Sequence, residues 1–196
     1  LSTWNNNPGG TMQGSPLEQP DYTPQFSGHE TFPLRYGWLK KTYDAVVEDQ
    51  QGDSQDRSIF YDARAIAKFG VGKNMVSAMR HWATQCGVIQ GGGKANDISP
   101  TDLGEKLLSD NGLDPFMEIP STSWLIHWKL ASSLEKTTWF WFFNHFSGNQ
   151  FERHQLVESL TKFARDRNWR ISSQATIKRD IDCFIRTYAA RPITQK

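Results

Sequence analysis

Residues Tyr61 to Cys86 constrain this chain more than any other stretch. A short apolar segment, Tyr61 to Phe69, runs into a tight turn holding Gly70 and Gly72. A second segment, Val71 to Cys86, then places Met75, Met79, Trp82, Ala83 and Cys86 at helical spacing. Two amphipathic helices joined by a glycine turn form a helix-turn-helix pattern. The face left over on the second helix carries Lys73, Asn74, Ser77, Arg80, His81 and Thr84. Those donors and cations suit phosphate oxygens and base edges in a major groove.

Helical pairs with glycine turns also occur in proteins that never meet DNA, so the flanking sequence has to carry part of the argument. Between Asp62 and Lys94 the cations Arg64, Lys68, Lys73, Arg80 and Lys94 face Asp62 alone. Gly87-Val88-Ile89, a glycine run at Gly91-Gly92-Gly93, and Asp97-Ile98-Ser99 read as a two-strand wing. The expectation is a mainly α fold whose winged-helix or helix-turn-helix domain, with one preceding helix, spans residues 26–112. A helical domain over residues 113–196 follows, with an aromatic middle and a C-terminal helical pair.

The 196 residues are 37% hydrophobic, enough for one or two cores, and contain no apolar run of membrane-spanning length. No charged-then-apolar leader opens the chain, and Leu1-Ser2-Thr3 without Met reads as a trimmed start, so a cytoplasmic location with no membrane contact is expected. Cys86 and Cys183 fall on apolar helix faces as free thiols, and the five histidines are scattered singly, which gives no zinc pattern. The net charge of +1 hides an asymmetry: Phe151 to Lys196 carries ten Lys or Arg against five Asp or Glu. Excess cation at one end is a footprint of polyanion binding, though solvated helix faces produce it too.

Residues 1–25 hold little to bury and are expected to be disordered or draped. Thr31 and Pro33 suggest the cap and first turn of a helix reaching about Glu48, with Leu34, Trp38, Leu39, Tyr43 and Val46 as its stripe. A short helix from Pro100 to about Asn111-Gly112 is followed by an aromatic region. There Trp124, Trp128, Trp139 and Phe143 are assigned to core packing between two helices, because a base-stacking surface interleaves aromatics with cations and only Lys129 and Lys136 are present. Glu152 to Asn168 and a helix capped near Ser172-Ser173 form a second candidate helix-turn-helix, with Gln174, Lys178, Arg179 and Arg186 opposite Ile177, Ile181, Phe184, Ile185 and Tyr188. A plain helical pair with a solvated basic face explains it equally.

No catalytic constellation is self-evident. Gly70-Val71-Gly72-Lys73-Asn74 lacks the glycine spacing and the Ser/Thr of a phosphate loop. The densest chemistry is Gly28-His29-Glu30-Thr31 with Arg35 one turn beyond. His can move a proton near neutrality, Glu can hold a metal or orient a water, and Arg can grip a phosphate. A helix cap with a local hydrogen-bond network is the competing reading.

The strings FSGHETFPLRYGWLKK, FGVGKNMVSAMRHW, DPFMEIPSTSWLIHWKLAS and TTWFWFFN, in that order from Phe26 to Asn144, resemble the signatures of a bacterial domain-of-unknown-function family. Its members sit in DNA phosphorothioation and defence loci, and it is typified by the nicking (B) component of the Ssp single-strand phosphorothioation system. The resemblance implies a DNA-nicking component working with a cysteine desulfurase, an ATPase and an ATP pyrophosphatase, on double-stranded DNA, with a homodimer left open. It makes His29, Glu30, Thr31 and Arg35 the motif positions nearest the chemistry and Lys73, Asn74 and Arg80 the DNA contacts. On those residues we expect Glu30 as base or metal ligand for Mg or Mn, His29 as proton carrier and Arg35 as charge clamp, with Thr31, Ser77, Lys178 and Arg179 joining the DNA contacts. The alternative is a non-catalytic winged-helix adaptor that binds DNA and recruits the enzyme.

Overall fold

The computed structural model describes residues 14–51, 59–60, 63–91, 98–170 and 173–189. Among them the fold is mainly helical: α1 (Trp38–Gln51), α2 (Ala63–Phe69), α3 (Lys73–Gln85), α4 (Asp102–Leu108), α5 (Pro120–Ala131), α6 (Thr137–His145), α7 (Arg153–Asp166) and α8 (Gln174–Tyr188). A two-stranded sheet, β1 (Ile89–Gln90) and β2 (Ser99–Pro100), lies between α3 and α4. Its strands run antiparallel with Ile89 opposite Pro100 and Gln90 opposite Ser99. The glycines Gly92 and Gly93, expected at the tip of a wing, lie outside the described residues. No helix among the described residues is long and apolar enough to cross a membrane.

The α2–α3 pair forms where the apolar period places it. Gly70 takes φ +59 and Gly72 is the extended residue before α3, so the chain reverses without a side-chain penalty. Helix α3 buries Val76, Ala78, Met79, Trp82 and Ala83 against α1 and α2. Helix α4 is capped by Thr101, whose Oγ1 accepts from the Gly104 amide at 3.0 Å. Gly104 is buried so tightly against Val88, the residue before β1, that a Cβ there would stand 2.1 Å from the Val88 carbonyl oxygen.

Helix α1 begins at Trp38, later than the Pro33 start read from the sequence. Thr31 caps nothing, because Glu30 and Thr31 adopt left-handed backbone with φ of 47° and 64°, and Gly37 adds a third reversal at φ 77°. Pro33 therefore sits in a folded loop. The N-terminal segment, expected to be disordered or draped, is pinned at Leu17, which is fully buried, and at Tyr22, whose hydroxyl donates to the Leu134 carbonyl at 2.9 Å.

The aromatic middle divides in two, which corrects the assignment of all its tryptophans to the core. On α6, Trp139 and Trp141 are buried. On α5, Trp124 is 70% exposed and Trp128 69% exposed. The helical period explains the split: Thr122, Ile126 and Leu130, four apart, face inward, and positions 124 and 128 fall on the opposite side of the helix. Phe143, on α6, is 40% exposed beside them. Helices α7 and α8 pack on each other as the expected C-terminal pair, and α8 also touches α6.

Candidate functional site

The loop from Phe26 to Arg35 is organised around one buried imidazole. His29 is 3% exposed, and its Nδ1 accepts the Thr31 backbone N–H at 2.9 Å. The proton must then sit on Nε2, which donates to Asp180 Oδ1 of α8 at 2.8 Å. The ring lies nearly parallel to Trp82 of α3, with centroids 6.4 Å apart. Gly28, at φ +100, lets the loop pass close to His81 of α3: a Cβ on it would stand 2.5 Å from His81 Nδ1.

A buried ammonium completes the cluster. Lys136 is 1% exposed, with Nζ 4.4 Å above the Trp139 ring and 5.0 Å from that of Trp82. It points to His81 Nε2 at 3.3 Å, so that nitrogen is the acceptor. Burial, then the Lys136 charge, push the His81 imidazole down to about 2, and the ring is neutral at any physiological pH. Burial also lowers the Lys136 ammonium, while the Asp180 carboxylate acts against that shift. Asp180 is fully buried and its Oδ2 has no hydrogen-bond partner among the described residues. The Asp180 carboxylate favours the Lys136 ammonium through space while its Oδ1 is engaged by His29.

The expected site residues separate around this core. Glu30 and Thr31 stand exposed on the left-handed stretch, and the Thr31 carbonyl accepts from Arg186 Nη2 of α8. Arg35 is exposed, its guanidinium 5.3 Å from the Trp38 ring and 5.7 Å from that of Phe32. On α3, Lys73, Asn74 and Ser77 are exposed and Arg80 is half-buried. On α8, Lys178 and Arg179 are exposed, directly outside Asp180. The loop holds both basic helices at once, because the Phe32 carbonyl accepts from Trp82 Nε1 of α3 at 2.9 Å and from the Cys183 thiol of α8 at 3.3 Å. Both cysteines are buried free thiols, pushed up to about 12 by burial.

Motif and spacing do not single out Asp180 and Lys136 as site residues. A signal exists all the same: Asp180 interrupts the apolar stripe Ile177, Ile181, Phe184, and a charge in such a stripe calls for a buried partner. Among the described residues no group of three or more His, Cys, Asp or Glu is placed to hold a metal ion.

A family model described as "Protein of unknown function (DUF4007)" matches residues 26–196. Two solved structures are similar. A magnesium ion-bound SspB crystal structure is 28% identical with a TM-score of 0.71, and a second SspB crystal structure is 30% identical with a TM-score of 0.69. Each match covers 84% of this chain and 49% of the other, so the chain spans about half the length of these SspB chains. No curated protein matches it.

Proposed function

The chain belongs to the DUF4007 family, and from that premise we propose that it is the DNA-engaging part of a phosphorothioation-system component of the SspB kind. One observation carries this reading. Helix α3 turns its apolar stripe inward and leaves Lys73, Asn74 and Ser77 exposed over its first turns, with no carboxylate anywhere on the helix. Recognition helices contact base edges through their N-terminal residues. The reading makes α2–α3 a helix-turn-helix and β1–β2 its wing, with Arg80 and Thr31 beside the groove and Lys178 and Arg179 on phosphates.

Nicking is the second reading, favoured by the Glu30–Thr31 backbone. Two adjacent non-glycine residues in left-handed conformation cost free energy and persist where the surroundings over-determine them. Here the buried His29–Asp180 pair does so, and it projects Glu30 into solvent. In this assignment Glu30 orients the attacking water, Arg35 steadies phosphate charge, and His29, with both ring nitrogens engaged, positions the loop instead of carrying the proton. The other partners of the reading are the cysteine desulfurase, ATPase and ATP pyrophosphatase of the system, in the cytoplasm, with a homodimer as one assembly.

A gel shift on duplex DNA run beside a supercoiled-plasmid assay tests both readings. Duplex binding with open circles supports a nickase, and Glu30→Ala should then remove nicking while preserving the shift. Binding without open circles leaves the adaptor. No shift even at low salt overturns the proposal.

A further inference from the structure

Beside Arg35 the surface holds a feature that groove binding does not use. Trp124 and His127 of α5, Phe143 of α6 and Tyr188 of α8, with Ser123 at the rim, line an open surface cavity of about 370 Å³. Its walls stand nearly perpendicular to one another: His127 meets Phe143 at 83° and Tyr188 at 89°, and Trp124 meets His127 at 80°. The His127 Nδ1–Tyr188 hydroxyl bond, 3.0 Å, fixes two of these rings in place. A second cavity of about 300 Å³ adjoins the first, sharing Ser123, His127 and Tyr188, and its far side is formed by Arg35 and Tyr36.

Resting on the DNA-binding reading above, we propose that this aromatic cavity takes a single unstacked nucleobase, with Arg35 in the adjoining cavity meeting the phosphate attached to it. Both cavities have sizes at the lower end of small-ligand sites, about 300–1,000 Å³. The rings offer faces for stacking, which serves every base and needs few hydrogen bonds. Among the described residues no Asp or Glu lines either cavity, and the one full charge is the Arg35 guanidinium. An alkylammonium ligand would need a neighbouring acid; a phosphate needs a cation. A base displaced from a duplex held on α3 meets both requirements, aromatic walls first and guanidinium second.

The test uses the intact chain with three probes: a paired duplex, the same duplex carrying 2-aminopurine opposite an abasic site, and the mononucleotide dAMP. The unpaired probe should bind more tightly than the paired one, with its fluorescence quenched on stacking. Trp124→Ala should remove the difference, a loss between about 5-fold and 150-fold, the range one base–aromatic stack supplies. Trp128→Ala, equally exposed one turn further along α5 and outside both cavities, should change nothing. Trp124 is largely in solvent, so its replacement leaves the fold intact, as near-ultraviolet circular dichroism would verify. Duplex binding with no quenching, or equal losses in the two variants, overturns the cavity inference and leaves the DNA reading standing. Quenching of tryptophan fluorescence by dAMP that Trp124→Ala abolishes, with no duplex binding, keeps the cavity and overturns the DNA reading. A concentration-dependent dimer that Trp124→Ala dissolves assigns the cavity to a second copy and overturns the base.

Discussion

His29 Nε2 donates to Asp180 Oδ1 at 2.8 Å across 151 residues of sequence, and both partners are buried. This one bond ties the loop that bears Glu30 to the helix that bears Lys178 and Arg179. Asp180 also acts, through its charge, against the lowering of the Lys136 ammonium that burial causes.

Asp180→Ala should therefore destabilise the fold by about 3–5 kcal/mol, the cost of stranding one member of a buried charge pair. Adding Lys136→Met should recover part of that loss, since the stranded charge disappears, with a coupling of about 0.5–3 kcal/mol. Urea titrations of the two single variants and the double variant measure it. Strictly additive losses would mean that Lys136 is balanced elsewhere.

The helical pair α2–α3 and the amphipathic stripes of α7 and α8 were legible because they follow from spacing alone. The partners of His29 were not, because a pairing between residues 29 and 180 leaves no local trace beyond one aspartate in an apolar stripe. The late start of α1 was hidden too. Thr31 and Pro33 make a good local cap signal, and it is the tertiary demand of seating His29 that turns Glu30 and Thr31 left-handed. For Trp124 and Trp128, composition misled where period would have decided: counted from Ile126 and Leu130, both point outward.

Gly28→Ala should destabilise more than Gly37→Ala, although both glycines have positive φ. At Gly37 an added Cβ meets nothing within 4 Å, so only the backbone preference is lost, about 1 kcal/mol. At Gly28 the same strain comes with a Cβ at 2.5 Å from His81 Nδ1, and the ring that accepts from Lys136 must move. Thermal midpoints of the two variants compare them directly. Equal midpoints would show that His81 shifts freely.

His81 gives the protein an acid sensitivity with a definite sign. Its folded value is depressed from 6.5 to about 2, so between those limits the unfolded chain binds a proton that the folded chain refuses. Stability therefore falls as pH drops below about 6.5, by at most about 1.4 kcal/mol per pH unit from this group. His81→Gln, which keeps an acceptor for Lys136, should flatten the dependence between pH 6.5 and 4.5. Parallel pH profiles of variant and parent would remove His81 as the cause.

The two basic helices can be told apart by how salt and sequence affect binding. Lys73 and Arg80 lie seven residues apart on α3, two turns on one face, and can reach a single groove, with Asn74 between them able to pair with adenine. Lys178 and Arg179 stand outside the stripe that buries Asp180 on α8, where a salt link to phosphate is sequence-independent. Replacing Lys73 and Arg80 by Ala should weaken binding by about 1–3 kcal/mol for each base-reading side chain removed and relax sequence preference. Replacing Lys178 and Arg179 should lower affinity evenly across sequences and reduce the salt slope by about one unit for each phosphate no longer neutralised. Titrations of specific and scrambled duplexes at several salt concentrations separate the cases. If the Lys73 and Arg80 variant binds as its parent does while the Lys178 and Arg179 variant fails, α3 is a packing helix and α8 reads the DNA.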